Sequence, residues 1–360
     1  MRKPDFGNLL QVLRREEPSR PTLFEFFLNP PLCERLTGKK LGEEGVDWKW
    51  GEVYPVMVEA FAIAGYDYLT VHGCEMKFDT ADHDKKKTIS LNEGHTITDR
   101  ASFEKFIWPN PDSFDYSGLE NASEQLLDGM KLIVYGPSGV LENIISLVGF
   151  ETLCMMLVDD PELVGDIADA IGSRLVRYYE ICGQLDTVGA LISNDDWGFK
   201  TSTMLSPADM RRYIFPWHKK IVEAIHGAGK PAILHSCGNL EAVMDDIIDD
   251  MGYDAKHSYE DAICPVEDAY ERWGERIAIL GGIDVDFICR SEPEQIRERS
   301  MAMLKQVAGR GGYALGTVTV CRIMCLRKII WLWLIVCEIL RFLGFFRVAG
   351  RSYKHEVLVV

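Results

Sequence analysis

Short apolar runs recur along this chain, separated by longer segments in which apolar and polar residues alternate with helical spacing. Runs of this length bounded by turn residues read as buried strands, and the stretches between them as amphipathic helices. Eight runs qualify: Thr22–Leu28, Tyr66–His72, Lys131–Gly136, Ala190–Asp195, Ala232–Cys237, Ala255–Tyr259, Ile277–Ile283 and Tyr313–Thr317. The intervening segments carry helix-start signals. Asp160 precedes Pro161-Glu162, Ser206 precedes Pro207 with Asp209 following, and Ser291 precedes Glu292-Pro293-Glu294. Each is expected to cap a helix whose first turn holds proline or acid.

Eight strands alternating with helices predict the α/β class, and within it a (β/α)8 TIM barrel with an N-terminal helical extension. A doubly wound open sheet is the alternative, but it would carry a glycine-rich phosphate loop after an early strand, and none is seen. The expected organisation is an extension with the first strand over residues 1–50, a barrel over 51–317, and an aberrant C-terminal segment over 318–360.

The barrel expectation makes a statement about chemistry, because catalytic groups sit at the C-terminal ends of barrel strands. Polar residues collect there: His72, Asp195 and Asp196, His235 and Cys237, His257 and Glu260, and Asp284. His235 and Cys237 are the most informative pair. Residues i and i+2 share one face of a strand, so imidazole and thiol project together, as half of a zinc site or as the floor of a polar pocket. Asp195 and Asp196 point to opposite sides, one toward the mouth and one toward the next helix. Asp195, Asp196, His257 and Asp284 are the candidate acid–base groups, His72 and Glu260 the candidate substrate contacts, and His235 and Cys237 the candidate metal ligands. His83, His95, His218 and His226 read as surface or packing residues.

Composition narrows the partners. The formal charge of −16 disfavours nucleic acid and anionic membranes, leaving a small-molecule substrate. Ten cysteines without paired spacing, and an N-terminus lacking an apolar h-region, predict reduced thiols in a cytoplasmic protein.

Several motifs resemble the uroporphyrinogen decarboxylase superfamily, which includes cobalamin-dependent methyltransferases. Leu234-His235-Ser236-Cys237-Gly238-Asn239-Leu240 is similar to its fifth-strand motif, and Ile279-Leu280-Gly281-Gly282-Ile283-Asp284 to its seventh. Asn194-Asp195-Asp196-Trp197-Gly198, with Leu205-Ser206-Pro207 and Phe215-Pro216-Trp217, resembles the fourth strand and following helix. Gly136-Pro137, Gly149-Phe150-Glu151 and Asp159-Asp160-Pro161-Glu162 resemble the third unit. The resemblance runs over about residues 20–317.

The resemblance implies a TIM barrel and one of two activities. The decarboxylases carry an arginine-rich N-terminal segment that pairs with substrate carboxylates, whereas the corresponding Phe24-Glu25-Phe26-Phe27-Leu28-Asn29-Pro30-Pro31 has no arginine. The methyltransferase branch is closer at His235 and Cys237. It implies zinc held by that His, that Cys and a third Cys beyond the last strand, with methylcobalamin on a partner corrinoid protein and a thiol or folate acceptor. A uroporphyrinogen III decarboxylase of porphyrin biosynthesis, a lyase, is the alternative activity, and an inactive or damaged family member a third.

The composition breaks at residue 318. Residues 318–360 hold seven Lys or Arg and two Glu, and the run 329–346 is long and apolar enough to suggest a membrane helix. A one-base frameshift between Thr317 and Val318 explains the segment better, since a restored frame reads as an acidic amphipathic helix. Cys321 and Cys325, the formal candidates for the third ligand, then disappear, and no membrane span is expected.

Overall fold

The apolar runs become strands because they are buried on both faces, as in parallel sheets covered by helices. The computed structural model describes residues 2–42, 50–78 and 96–318. Its strands are β1 (Tyr68–His72), β2 (Lys131–Tyr135), β3 (Val188–Asn194), β4 (Ala232–His235), β5 (Ala255–His257), β6 (Ala278–Leu280) and β7 (Tyr313–Ala314). They pair in sequence order, all parallel, into one curled sheet. Six residues of β3 are fully enclosed, and only Asn194 at its end reaches partial exposure. The architecture is the expected α/β one, a TIM-barrel-like sheet with helices outside.

The eighth run departs from expectation. Thr22–Leu28 contributes a single parallel bridge, Leu23 to Leu315, instead of a strand. Phe24 N–H donates to Leu315 O and Leu315 N–H to Thr22 O, both at 2.9 Å. Beyond that point Phe24, Glu25 and Phe26 turn inward and are buried. The segment therefore serves the barrel interior more than the ladder, and the described part of the N-terminal region, from Phe6 to Leu41, contributes to the same core as the strands.

The last two strands are also shorter than their apolar runs. Gly281 and Gly282 have φ of +70° and +96° and interrupt β6, after which pairing resumes only as the bridge Ile283 to Thr317. Gly281 has a steric reason as well: a Cβ there would lie 2.2 Å from Thr317 O and 2.9 Å from His257 Nε2. Only glycine tolerates both the φ and the approach.

Two of the three expected helix starts hold. Asp160 accepts from Leu163 N–H at 3.1 Å to start Pro161–Gly183. Ser206 accepts from Asp209 N–H at 3.1 Å. The third is shifted by one residue. Glu292 precedes the helix Pro293–Val307 and donates its N–H to Gln295 at 2.8 Å, while Ser291 ends the helix Val285–Arg290.

The N-terminal helix Gly7–Leu13 buries Leu9, Val12 and Leu13 and packs against β7. Arg2 and Arg20 both pair with Asp67, at 3.0 and 2.6 Å. Asp67 immediately precedes β1, so these arginines lie at the barrel end opposite the strand C-termini. No single helix among the described residues is long and apolar enough to cross a membrane. The segment expected to be frameshifted, with its apolar run, Cys321 and Cys325, lies outside the described residues apart from Val318.

Candidate active site at the strand C-termini

β4 and β5 place two histidines face to face. His235 and His257 are register partners, and their Nδ1 atoms lie 2.7 Å apart. Both rings are walled by the inturned N-terminal segment, with Phe26 4.7 Å from His235 and Phe24 5.1 Å from His257 between ring centroids. On its other side His257 Nε2 lies 3.1 Å from Thr317 O. A carbonyl can only accept, so His257 carries its proton on Nε2. Burial pushes the His257 ring down to about 3 and His235 well below its ordinary value, with the neighbouring His257 and Lys256 adding to the effect. Both rings are neutral near neutrality. His257 Nδ1 is then bare and accepts from His235 Nδ1–H, which leaves a lone pair on His235 Nε2.

That lone pair faces Cys237, whose Sγ is 3.9 Å away. Asp196, at the end of β3, completes the group: Cys237 N–H donates to its Oδ1 at 2.8 Å. The loops after β3 and β4 meet backbone to backbone. Gly238 has φ +90°, and a Cβ there would sit 2.1 Å from Gly198 C and O. That approach carries the Asp196 carboxylate to the Cys237 thiol. Ser258, with φ 84°, donates its hydroxyl to Cys237 Sγ at 3.3 Å. A serine in this region is strained, and strain of this kind gathers at functional sites.

Ligand atoms of Asp196, His235 and Cys237 all lie within 4.8 Å of one another. Around a tetrahedral zinc, sulfur and nitrogen ligands are separated by about 3.5 Å, from bond lengths near 2.3 and 2.0 Å. The observed 3.9 Å between Sγ and Nε2 is within a small side-chain adjustment of that. A thiol, an imidazole lone pair and a carboxylate are a donor set that suits zinc and leaves a fourth position open. Burial, then the charge of Asp196, pushes the Cys237 thiol up to about 12, so without a metal it is protonated. The residues present fit such an ion.

Three ionisable groups near the cluster escaped sequence reading. Lys256 points outward from β5, buried, and donates to the carbonyls of Ser236, His257 and Ser258 at 3.2, 3.4 and 2.6 Å. Burial lowers its ammonium to about 8. Glu142, in the first turn of the helix Val140–Val148, is held above the carboxylate range by burial and by the charges of Asp195 and Asp196. Glu25 accepts from Thr317 N–H at 2.7 Å and meets Thr317 Oγ1 at 2.8 Å; burial raises it to about 7. A lysine inside an apolar run, as at Lys256, was the one available signal.

The remaining candidates fall into three places. Asp195 is fully enclosed and accepts from Leu141 N–H and Glu142 N–H, each at 2.9 Å, while His218 Nε2 lies 2.9 Å from it. It braces a helix start and, unlike Asp196, does not join the ligand group. His218 is a packing residue, as expected, with Tyr253 and Ser193 on its Nδ1. Asp284 caps Val285–Arg290 through Asp286 N–H, and its second oxygen accepts from Asp261 N–H at 2.8 Å. Both its oxygens brace loops outside the ligand group. Glu260 lines a cleft with Asn239, Lys256, Ser258 and Tyr259. His72 is exposed at the end of β1, its ring 4.1 Å from Tyr135, and Tyr135 packs on Phe26 and Phe27. His226 pairs with Asp254 on the surface, and His83 and His95 lie outside the described residues.

The fold and site together define a TIM-barrel-like protein of enzyme type, with a thiol–imidazole–carboxylate cluster where barrel strands end. The chain matches the family described as Uroporphyrinogen decarboxylase (URO-D) over residues 121–318, more than half its length, and it belongs to that family. Among solved structures it is similar to a methyltransferase from Methanosarcina mazei, with 15% identity, 92% of this chain and 98% of that chain covered, and a TM-score of 0.67. It also aligns with a protein described as a vitamin-B12-independent methionine synthase from Listeria monocytogenes, at 14% identity, 89% and 98% coverage and a TM-score of 0.49. No curated protein matches the chain.

Proposed function

We propose that this protein is a methyltransferase that takes a methyl group from a corrinoid held by a partner protein and gives it to a small thiol or folate. The observation that carries the proposal is the Asp196–His235–Cys237 cluster. The Methanosarcina neighbour's activity supports it. A zinc ion bound there would lower the pKa of an acceptor thiol and hold it at the open position. The chain's own residues do the rest. His235 Nε2, Cys237 Sγ and Asp196 present the ligand atoms, and Ser258 O–H fixes the sulfur by its hydrogen bond. In the transfer the methyl group leaves cobalt without its bonding electrons and joins the acceptor, whose proton is released. Phe26, Phe27, Tyr135 and His72 form an aromatic wall at the mouth that suits a flat corrin face. His72 and Glu260 are assigned to substrate contact.

The family's name equally suggests decarboxylation of a polycarboxylated tetrapyrrole. That reaction calls for fixed guanidinium groups at the mouth. Arg2 and Arg20 are spent on Asp67 at the other end, and the inturned segment Thr22–Leu28 holds no arginine, its one charged residue, Glu25, being buried against Thr317. This favours methyl transfer. Mixing the protein anaerobically with methylcobalamin and a small thiol, or tetrahydrofolate, tests the proposal. Loss of the methylcobalamin absorbance, abolished by Cys237→Ala, is expected. Carbon dioxide release from uroporphyrinogen without any demethylation of the corrinoid would overturn it.

A further inference from the structure

His235 can serve as a ligand only if its outward nitrogen is bare. A free imidazole in water favours the opposite tautomer modestly, with the proton on Nε2, so something must set the choice. We infer that Glu25, Thr317 and His257 form a buried brace that locks His235 in the Nδ1–H tautomer, making His257 a positioning residue. The inference deepens the proposed metal-dependent function and rests on that reading for its purpose, although the brace itself is a property of the metal-free protein.

The geometry runs in one direction. Glu25 holds Thr317 through two contacts of 2.7 and 2.8 Å, to its N–H and its hydroxyl. That fixes the Thr317 carbonyl 3.1 Å from His257 Nε2. The carbonyl has no proton to give, so His257 Nε2 is the donor. Its Nδ1 must then accept, and the group 2.7 Å away is His235 Nδ1. His235 is left with its lone pair on Nε2, toward Cys237. Ligating histidines elsewhere donate their second N–H to a carboxylate or a carbonyl, and losing that partner weakens metal binding. Here the partner is a second imidazole, itself oriented by a carbonyl. Gly281 belongs to the same device. Its missing Cβ opens the space in which His257 Nε2 reaches Thr317 O. The first glycine of the seventh-strand motif thus acts, through His257, on the fifth-strand motif's His235. Phe24 and Phe26 close over both rings, and His257 has no measurable exposure, so water offers no competing partner at Nδ1.

Nitrogen-15 NMR of the imidazoles, in full-length metal-free protein near neutral pH, reads the tautomer directly. Wild-type His235 is expected to show a protonated Nδ1 and a bare Nε2. His257→Phe keeps an aromatic ring but removes the acceptor; His235 is expected to revert toward Nε2–H, and cobalt(II) affinity to fall roughly 10–100-fold. His257→Gln keeps one donor and one acceptor, and should retain more affinity than the phenylalanine variant. A wild-type His235 protonated mainly on Nε2 would overturn the brace whatever the variants do, including the case in which they fail to fold. If wild type shows the Nδ1–H tautomer yet binds no cobalt, the brace stands and the metal-dependent reading fails.

Discussion

Glu25 and Thr317 are 292 residues apart in sequence and joined by two hydrogen bonds inside the barrel. One lies on the inturned N-terminal segment and the other where the last strand ends. The pair does the closing work that an eighth full strand would otherwise do. It also holds the carbonyl against which His257 is oriented.

This pairing predicts an unusual pH dependence. The Glu25 carboxyl is raised from 4.5 to about 7 by burial, so the folded state binds a proton that the unfolded state releases between those values. Its contribution is fully present below about pH 4.5 and is lost as pH rises through 7. A shift of this size corresponds to at most about 3.5 kcal/mol. Denaturant unfolding across pH 5 to 8 should show wild-type stability falling more steeply with pH than that of Glu25→Gln, which cannot ionise. Parallel profiles would show that Glu25 titrates normally.

Adjacent aspartates should behave as different kinds of residue. Asp195→Asn weakens the brace on Leu141, Glu142 and His218, and is expected to cost about 2–4 kcal/mol as a fully buried network is broken. Asp196→Ala should change stability by less than about 1 kcal/mol but lower zinc or cobalt affinity at least tenfold. Chemical denaturation and a metal titration on the same two variants check both halves. Equal effects on both measures would erase the distinction.

How far this was legible beforehand differs by feature. The strands were visible because a sheet covered on both faces demands continuous apolar runs, and β1 to β5 fall within or beside theirs. The segment Thr22–Leu28 reads as a strand by the same pattern, but its aromatics are buried as lining of the barrel interior, which the pattern does not distinguish. His235 and Cys237 were legible through two-residue strand periodicity. The place of Asp196 beside Cys237 was not, because it depends on the Gly198–Gly238 approach, a contact between loops 40 residues apart in the chain. Asp284 looked chemical, yet it stands directly before a helix and caps it. Lys256 and Glu142 were missed because burial, invisible in sequence, is what perturbs them.

Lys256 offers a further test. It donates to three buried carbonyls, of Ser236, His257 and Ser258, and only the His257 carbonyl has a backbone donor besides, Ser236 N–H. Lys256→Met should destabilise the protein by about 2–4 kcal/mol, since buried acceptors left without donors cost about 1–3 kcal/mol each and the loop relaxes in part. Because the ammonium lowers the Cys237 thiol against the larger effects that raise it, the variant's thiol should also alkylate more slowly at pH 7, where Lys256 still carries its charge. Stability loss without any change in alkylation would confine Lys256 to a structural role.

Gly238 should resist substitution. Its φ of +90° and the 2.1 Å clash of any Cβ with Gly198 mean that Gly238→Ala must part the loops that bring Asp196 to Cys237. Thermal denaturation is expected to show a loss of about 1–3 kcal/mol, and metal affinity should fall with it. Retained affinity in a destabilised variant would place the aspartate contact outside the ligand set.

Cobalt(II) titration is the most direct measurement of the central claim, that Asp196, His235 and Cys237 form one metal site. One equivalent of cobalt should produce a near-ultraviolet thiolate-to-cobalt band and visible bands of tetrahedral intensity. Cys237→Ala should remove the near-ultraviolet band, and His235→Ala or Asp196→Ala should weaken binding while leaving it detectable. Absence of the band in the wild-type protein, or its persistence in Cys237→Ala, would contradict the account.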